Sequence, residues 1–240
     1  MSTCNDQSVT EIVDLLSRPT YGMSQVDRLL ALKPGTARRW IDGYERGGKF
    51  YQPVIRADRT ENDVATWGEF VETRLLAEYR NAGVNMLRLR PAIVRLREQF
   101  GTEYPLAHAR PFVDGLDLVL AVQDEVALDR KLLLVVQLKD GQVRLSGEAA
   151  TFKRSVEYSN VVDGIADRVR PQDGNRDVFV DPLRQFGEPV VRSVPTEVIA
   201  EQVRAGDRLE SIAENFELTL QQVESAVRFE LWRAAPEHAA

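Results

Sequence analysis

Apolar residues in the first hundred positions recur at three- and four-residue intervals, and the predicted elements are mainly helices. EIVDLL, residues 11–16, forms a short helical pattern that Arg18-Pro19 interrupts, because a proline disfavours helical backbone in the residue before it. Ser24 is then placed to cap a helix carrying Val26, Leu29 and Leu30 on one face. Lys33-Pro34-Gly35 predicts a turn. A second helix, from about Thr36 to Asp42 or Gly43, buries Trp40 with Ala37 and Ile41 and leaves Arg38, Arg39 and Asp42 more exposed. Two short helices joined by a tight turn make the helix-turn-helix arrangement, whose second helix can enter a major groove. Tyr44, a Gly47-Gly48 turn, and Phe50, Tyr51, Val54 and Ile55 predict a hairpin behind it. That hairpin reads as a wing, with Arg46, Lys49 and Arg56 placed against phosphates.

Residues 60–66 are polar and read as a linker. The spacing Trp67, Val71, Leu75, Tyr79 predicts a helix ending near Asn81–Gly83, and Pro91 opens another that runs to Phe100 and stops at Gly101. From 110 to 180 the period changes. PFV, Asp114-Gly115 and DLVLAV predict one hairpin; VEYSNVV, Asp163-Gly164 and IADRVR predict a second. LLLVVQLKDGQVRLSG fits strand or helix, GEAATFKRSV is helix-like, and DVFVD is a short strand. Towards the end, Pro195 starts a helix that Gly206 closes, Asp207 caps RLESIAENF, and Thr219 caps LQQVESAVRFELW. Val198, Val203, Leu209, Ile212, Phe216, Leu218, Val223, Val227 and Leu231 are expected to converge between these three helices.

The expected class is therefore α+β. A winged helix-turn-helix occupies 18–60, its helical extension 67–109, a small mixed α/β region 110–180, and a trihelical, homeodomain-like domain 181–233. The 240 residues suffice for such modules, with 43% hydrophobic and 28% charged residues typical of a globular chain. There is no run of 18 apolar residues and no signal-peptide pattern, so a cytoplasmic protein with no membrane partner is expected.

Charge sharpens the picture. The net charge of −6 argues against a general nucleic-acid binder. Counted by segment, however, residues 31–59 carry seven basic against three acidic side chains, while residues 111–240 carry 15 against 23. A short basic module precedes a long acidic body. Lys33, Thr36, Arg38, Arg39, Arg46, Lys49 and Arg56 are the candidate DNA-binding residues, because arginine pairs bidentately with guanine and lysine neutralises phosphate. A pairing of Arg39 with Asp42 or Glu45 on the surface is the alternative for that residue.

Catalytic chemistry finds little support. Cys4 is the single cysteine, and His108 and His238 lack metal-ligand spacing, so each histidine reads as solvated or hydrogen-bonded. Gly47-Gly48 fits neither phosphate-loop pattern, and Asp114, Asp117 and Asp163 read as turn residues. No catalytic residue, metal or cofactor is expected. Acidic residues from Glu197 to Glu230 disfavour a polyanion partner for the last three helices, whose apolar faces suit dimerisation or a protein partner.

FGEPVVRSVPTEVIAEQVRAGDRLESIAENFELTLQQVESAVRF closely resembles a small trihelical antitoxin-like domain, through Gly187, Pro189, Val190, Val191, Arg192, Pro195, Ala205, Gly206, Ile212 and Ala213. Ser193-Val194 stands where that pattern has Gly-Thr. TARRWIDGYERGGKFYQPVIR is similar to the MerR-like winged helix-turn-helix found fused to that domain. Together they resemble a VapB-type antitoxin of the VapBC toxin–antitoxin class. The resemblance implies a PIN-domain ribonuclease toxin of VapC type as partner and autorepression at the operator DNA, both consistent with a homodimer presenting two basic modules. The alternative is a MerR-like transcriptional regulator with no toxin, in which residues 110–180 sense a small ligand or only link the two ends.

Overall fold

The computed structural model of the protein describes residues 15–159 and 164–235. Most of EIVDLL, together with Cys4, Asp163 and His238, lies outside the described residues; Leu15–Ser17 are helical. The architecture is α+β, helices around small antiparallel sheets. No described helix is long and apolar enough to cross a membrane.

Strand β1 (Pro19–Gly22) leads directly into helix α1 (Met23–Leu29), whose N-cap is Gly22, so Ser24 sits inside the helix rather than capping it. Helix α2 (Thr36–Ile41) follows, then β2 (Tyr44–Arg46) and β3 (Lys49–Tyr51), paired Tyr44↔Tyr51 and Arg46↔Lys49 across Gly47-Gly48. The returning strand ends at Tyr51, before Pro53. Val54 and Ile55, expected on that strand, are instead buried in the core and anchored by N–H donation to the Trp40 carbonyl at 2.8 and 3.0 Å. Gly43 has φ +77 and passes so close to the hairpin that a Cβ would stand 2.6 Å from the Tyr51 carbonyl oxygen, so glycine is required there.

Residues 60–66 are not a linker. Val64–Thr66 form β4, antiparallel to β1, and the segment before it closes over a buried arginine. The Arg56 guanidinium donates to Glu69 Oε1 (2.6 Å), Asp42 Oδ1 (2.7 Å), Thr60 Oγ1 (2.5 Å) and the Val64 carbonyl (2.9 Å). Asp42 accepts in turn from the Thr60 and Glu61 N–H groups at 2.8 and 3.0 Å. Burial works against the Asp42 carboxylate, yet these donors and Arg56 together hold its pKa below the usual value. Two sequence expectations fail at this point: Asp42 is buried rather than exposed, and Arg56 is in the interior rather than on the wing.

Helix α3 (Trp67–Glu78) is the hub. Thr66 and Glu69 form a capping box at its start, and Trp67, Phe70, Val71, Leu75 and Leu76 are fully buried. Its neighbours hold it by polar contacts as well: the Trp67 indole N–H donates to the Ala166 carbonyl at 2.7 Å, and the Tyr79 hydroxyl to the Leu133 carbonyl at 2.9 Å. Helix α4 (Arg90–Phe100) has Pro91 in its first turn and ends at left-handed Gly101. From it Arg90 donates to the carbonyls of Pro53, Arg56 and Ala57, and Arg97 to that of Ile55.

The expected hairpin at 111–122 is helical. α5 (Arg110–Val113) and α6 (Leu116–Glu125) replace it, because Asp114 and Gly115 have φ −105 and −102, outside the left-handed conformation a type I′ turn requires. Leu116, Val119, Leu120 and Gln123 then share a helical face. The Gln123 side chain accepts from the N–H groups of Leu134 (2.6 Å) and Val135 (3.1 Å) and donates to the Val135 carbonyl. The ambiguous run resolves as strands β5 (Val135–Gln137) and β6 (Val143–Leu145). Helix α7 (Gly147–Ser155) and strands β7 (Val156–Tyr158) and β8 (Ala166–Val169) complete the middle. Residues from 18–60, 67–109 and 110–180 all contribute to one continuous apolar core.

A second core forms where β9 (Val178–Phe179), β10 (Val190–Val191) and β11 (Val194–Pro195) make a sheet under α8 (Thr196–Ala205), α9 (Leu209–Asn215) and α10 (Leu220–Ala234). Gly206 ends α8 in the left-handed conformation, and Thr219 caps α10 in a capping box with Gln222. Asp207 does not cap α9; Arg208 is its N-cap residue and makes no side-chain cap bond. Ile212 and Val223 are fully buried, but Val198 and Leu231 face solvent. The two cores meet at Gly187, whose carbonyl accepts from the Tyr21 hydroxyl at 2.7 Å. Gly187 has φ +80, and a Cβ there would lie 2.6 Å from that hydroxyl oxygen.

Two stability predictions arise from these buried charges. Replacing Arg56 by Met leaves Asp42 and Glu69 unpaired in the interior, and should cost about 3–5 kcal/mol in denaturant unfolding. Glu72, fully buried, accepts from the Leu106 N–H at 3.1 Å, while its other oxygen has no hydrogen-bond donor and only Arg97 at 4.0 Å. Burial pushes its pKa up to about 8, against the opposing influence of Arg97. Because the folded-state pKa lies above the unfolded one, the carboxylate costs nothing in acid and progressively more as pH rises towards 8. Glu72→Gln should therefore match the wild type near pH 4 and exceed its stability by on the order of 3 kcal/mol at pH 7, measured by unfolding across pH.

Candidate functional site

The basic residues singled out in the sequence separate into two groups. Lys33, Arg39, Arg46 and Lys49 are exposed on the turn, helix α2 and the hairpin, and Arg38 is half-buried beside them. Arg38 is ion-paired with exposed Asp63. Thr36 is buried, its hydroxyl accepting from the Arg39 guanidinium at 2.9 Å, so it positions Arg39 instead of facing outward. Arg39 makes neither of the ion pairs considered for it, with Asp42 or with Glu45; Asp42 is taken by Arg56 and Glu45 by Arg59, at 3.2 Å.

What sets the angle between α1 and α2 is a residue the sequence did not single out. Asp27, buried on α1, accepts from the N–H groups of Gly35 and Ala37, each at 2.7 Å. It caps α2 from the preceding helix, where no local residue does so. Burial raises the Asp27 pKa in spite of those two donors and nearby Arg39. Its spacing of eight and ten residues from its partners gives no local capping signature, so only the packed helices reveal it.

The hairpin is stiffened by its aromatic residues. Tyr44 and Tyr51 stack at 4.6 Å between centroids with planes 5° apart, and the Lys49 ammonium lies 5.4 Å from the Tyr51 centroid. Arg59, from the segment after the hairpin, sits 5.7 Å over the half-exposed Phe50 ring. Arg59 and Phe50 thus extend a surface on which Arg46 and Lys49 stand at the tip. Arg56, read as part of that surface, lies behind it in the ion-pair cluster.

No group of His, Cys, Asp and Glu among the described residues could hold a metal ion. His108 Nε2 lies 3.0 Å from the Thr102 hydroxyl. Close to the α1–α2 turn, Glu230 is buried between the Thr196 hydroxyl (2.5 Å) and Arg233 (2.5 Å), and Arg233 also reaches Glu197 at 2.6 Å. This network ties α8 to α10, whose last residues, Arg233 and Ala234, with Ala235 after them, lie across a cleft from Arg28, Ala31 and Leu32 of the α1 region.

Residues 178–229 match a family described as a protein of unknown function (DUF433), on the segment that resembles the antitoxin-like domain. Over 231 residues, covering 93% of this chain and 94% of the relative, the sequence is 37% identical to "Uncharacterized protein Rv2308" of Mycobacterium tuberculosis. The chain belongs to the Rv2308 family. A relative 28% identical over 225 residues, 87% of this chain and 92% of its own length, is named "Putative antitoxin VapB45" in the same organism. The X-ray crystal structure of Rv2018 from Mycobacterium tuberculosis shares the fold, with a TM-score of 0.71 at 24% identity over 87% of this chain and 97% of that one.

In this member of the Rv2308 family, Asp27→Ala should cost about 1–2 kcal/mol in denaturant unfolding, the effect of losing an N-cap acceptor. A separate Ser24→Ala change, at a position with no capping role, should leave stability within about 0.5 kcal/mol.

Proposed function

We propose that this chain is the non-enzymatic antitoxin of a toxin–antitoxin pair and an autorepressor of its own promoter. The observation that carries the DNA-binding half is the set Lys33, Arg39, Arg46 and Lys49, solvent-facing on the turn before α2, on α2 and on the β2–β3 hairpin, while the rest of the chain is acidic. Helix α2 enters the major groove, with Arg38 exchanging Asp63 for a base edge and Arg39 held ready by Thr36. Arg46 and Lys49, at the tip of the stiffened hairpin, meet phosphates. Arg56 contributes by holding the end of α2 in place, not by touching DNA. The antitoxin half is supported by the name of the VapB45 relative and by the antitoxin-like segment at 186–229; a VapC-type PIN-domain ribonuclease is the toxin class this reading takes, and a homodimer would match a palindromic operator.

The reading is tested with fluorescence anisotropy on the chain's own promoter fragment and by co-expression with the product of the adjoining reading frame. Arg38→Ala should weaken promoter binding about 5- to 150-fold and relax specificity at one position, while Lys49→Ala should lower the salt slope by about one unit with little change in specificity. Promoter affinity unchanged when Arg38 and Arg39 are both replaced would overturn the DNA assignment. Failure of the two proteins to co-purify, with no rescue of growth, would overturn the antitoxin assignment.

A further inference from the structure

The segment between β9 and β10 presents its largest apolar side chain entirely to solvent. Phe186 is 97% exposed and Leu183, three residues before it, 65% exposed. Such exposure of an aromatic side chain has a cost in water that a folded chain ordinarily avoids. The backbone beneath it is also strained: Gln185, Phe186 and Gly187 are successively left-handed, with φ of 46, 54 and 80°.

This conformation is held from several sides. Leu183 N–H donates to the Asp181 carboxylate at 2.9 Å, Gly187 N–H to the Arg184 carbonyl at 2.8 Å, and Glu188 N–H to the Gln185 carbonyl at 3.0 Å. The Tyr21 hydroxyl fixes the Gly187 carbonyl from the other core, and the Gln185 amide reaches the Ser193 carbonyl in the β10–β11 turn. A loop held this firmly presents Phe186 from a fixed backbone, which lowers the backbone ordering entropy that a flexible segment would lose on binding.

The same segment contributes arginines to a basic cavity. Arg184, two residues before Phe186 in the chain, and Arg192, six after it, line a cavity of about 220 Å³ together with Arg168 and Arg176, against two carboxylates, Asp177 and Asp181. Asp181 is shared between Arg184 at 3.3 Å and Arg168 at 3.8 Å, and Asp177 accepts from the Ser225 hydroxyl at 2.7 Å. Arg192, exposed, donates from one nitrogen to the Glu217 carbonyl. An exposed aromatic knob on the segment that supplies arginines to a neighbouring cavity has the composition of an energetic centre in a protein–protein interface.

We propose that residues 183–192 form the surface that grips the toxin partner, with Phe186 entering an apolar socket whose rim carries carboxylates that pair with Arg184 and Arg192. The occupant is an acidic protein surface because Arg168 and Arg184 share Asp181, with Glu157 also on Arg168, while the cavity holds four guanidinium groups against two carboxylates, and an aromatic knob needs a desolvated pocket. This proposal rests on the antitoxin reading and adds the location and chemistry of the contact.

The test uses the full chain and the purified product of the adjoining reading frame, with calorimetry for binding and light scattering for mass. Phe186→Ala, which removes no internal packing, should keep the wild-type melting temperature and promoter affinity but weaken partner binding at least about 30-fold. Arg184→Glu with Arg192→Glu should weaken it further at low salt than at high salt. Leu231→Ala, at an exposed apolar site on α10, should have no effect. Wild-type partner affinity in Phe186→Ala would overturn the surface and leave the antitoxin reading standing. No binding by the wild-type chain would overturn the antitoxin reading and this surface with it. A dimer that becomes monomeric in Phe186→Ala with partner affinity intact would make the occupant a second copy of this chain and overturn the proposal.

Discussion

The guanidinium of Arg56, held between Asp42 at the end of α2 and Glu69 in the first turn of α3, joins parts of the chain that share no local structure. A buried ion pair stabilises only if each remaining polar atom is also satisfied. Here Thr60, Asn62 and Val64 supply the missing partners, and in doing so they turn residues 60–64 into a tight return that delivers β4 to β1. The same Glu69 completes the capping box of α3. Removing the arginine would therefore loosen the start of the central helix, the end of the exposed helix and the pairing of the first strand together. Arg90 and Arg97 reinforce the arrangement from α4 by binding the carbonyls of residues in 53–57, a stretch outside any helix or strand.

That cluster also explains why the exposed basic surface is rigid enough to serve as a reading head in the proposed function. Helix α2 has only six residues and no local cap, too short to be stable alone. It is fixed at its start by Asp27 and at its end by Asp42, both through tertiary hydrogen bonds. The hairpin behind it, three residues per strand, depends on the Tyr44–Tyr51 stack and on the burial of Val54 and Ile55 immediately after it. The C-terminal core reaches the same structure from the opposite side, through Tyr21 on β1 and through the end of α10 beside α1. A protein bound near Gly187 would thus press on the strand that precedes the basic helices.

Much of the helical framework was legible from spacing. The α3 and α4 segments, the α1–α2 pair, the Gly47-Gly48 turn and the three last helices follow from apolar periodicity, from Pro91, Gly101 and Gly206, and from Thr219 as a cap. The errors share a cause. Asp114-Gly115 has the composition of a hairpin turn, yet its backbone is not left-handed and the flanking apolar residues pack as helices against Phe100 and the core. Asp42 and Arg56 look like surface charges in sequence because one-dimensional pattern carries no information about which charges will find each other. Val198 on α8 and Leu231 on α10 continue apolar spacings whose other members are buried or half-buried, yet both are left exposed.

The local pattern of the sequence by itself determined where most helices begin and end and that a basic module precedes an acidic body, since periodicity and caps act within a few residues. Tertiary structure alone decided which of the seven candidate residues face solvent: Arg56 and Thr36 were drawn inward, and Asp27 was given the task of capping a helix it does not belong to. It also left Phe186 exposed to solvent. Those outcomes depend on contacts between residues far apart in the chain, where the balance between desolvation and pairing is settled only when the partners meet.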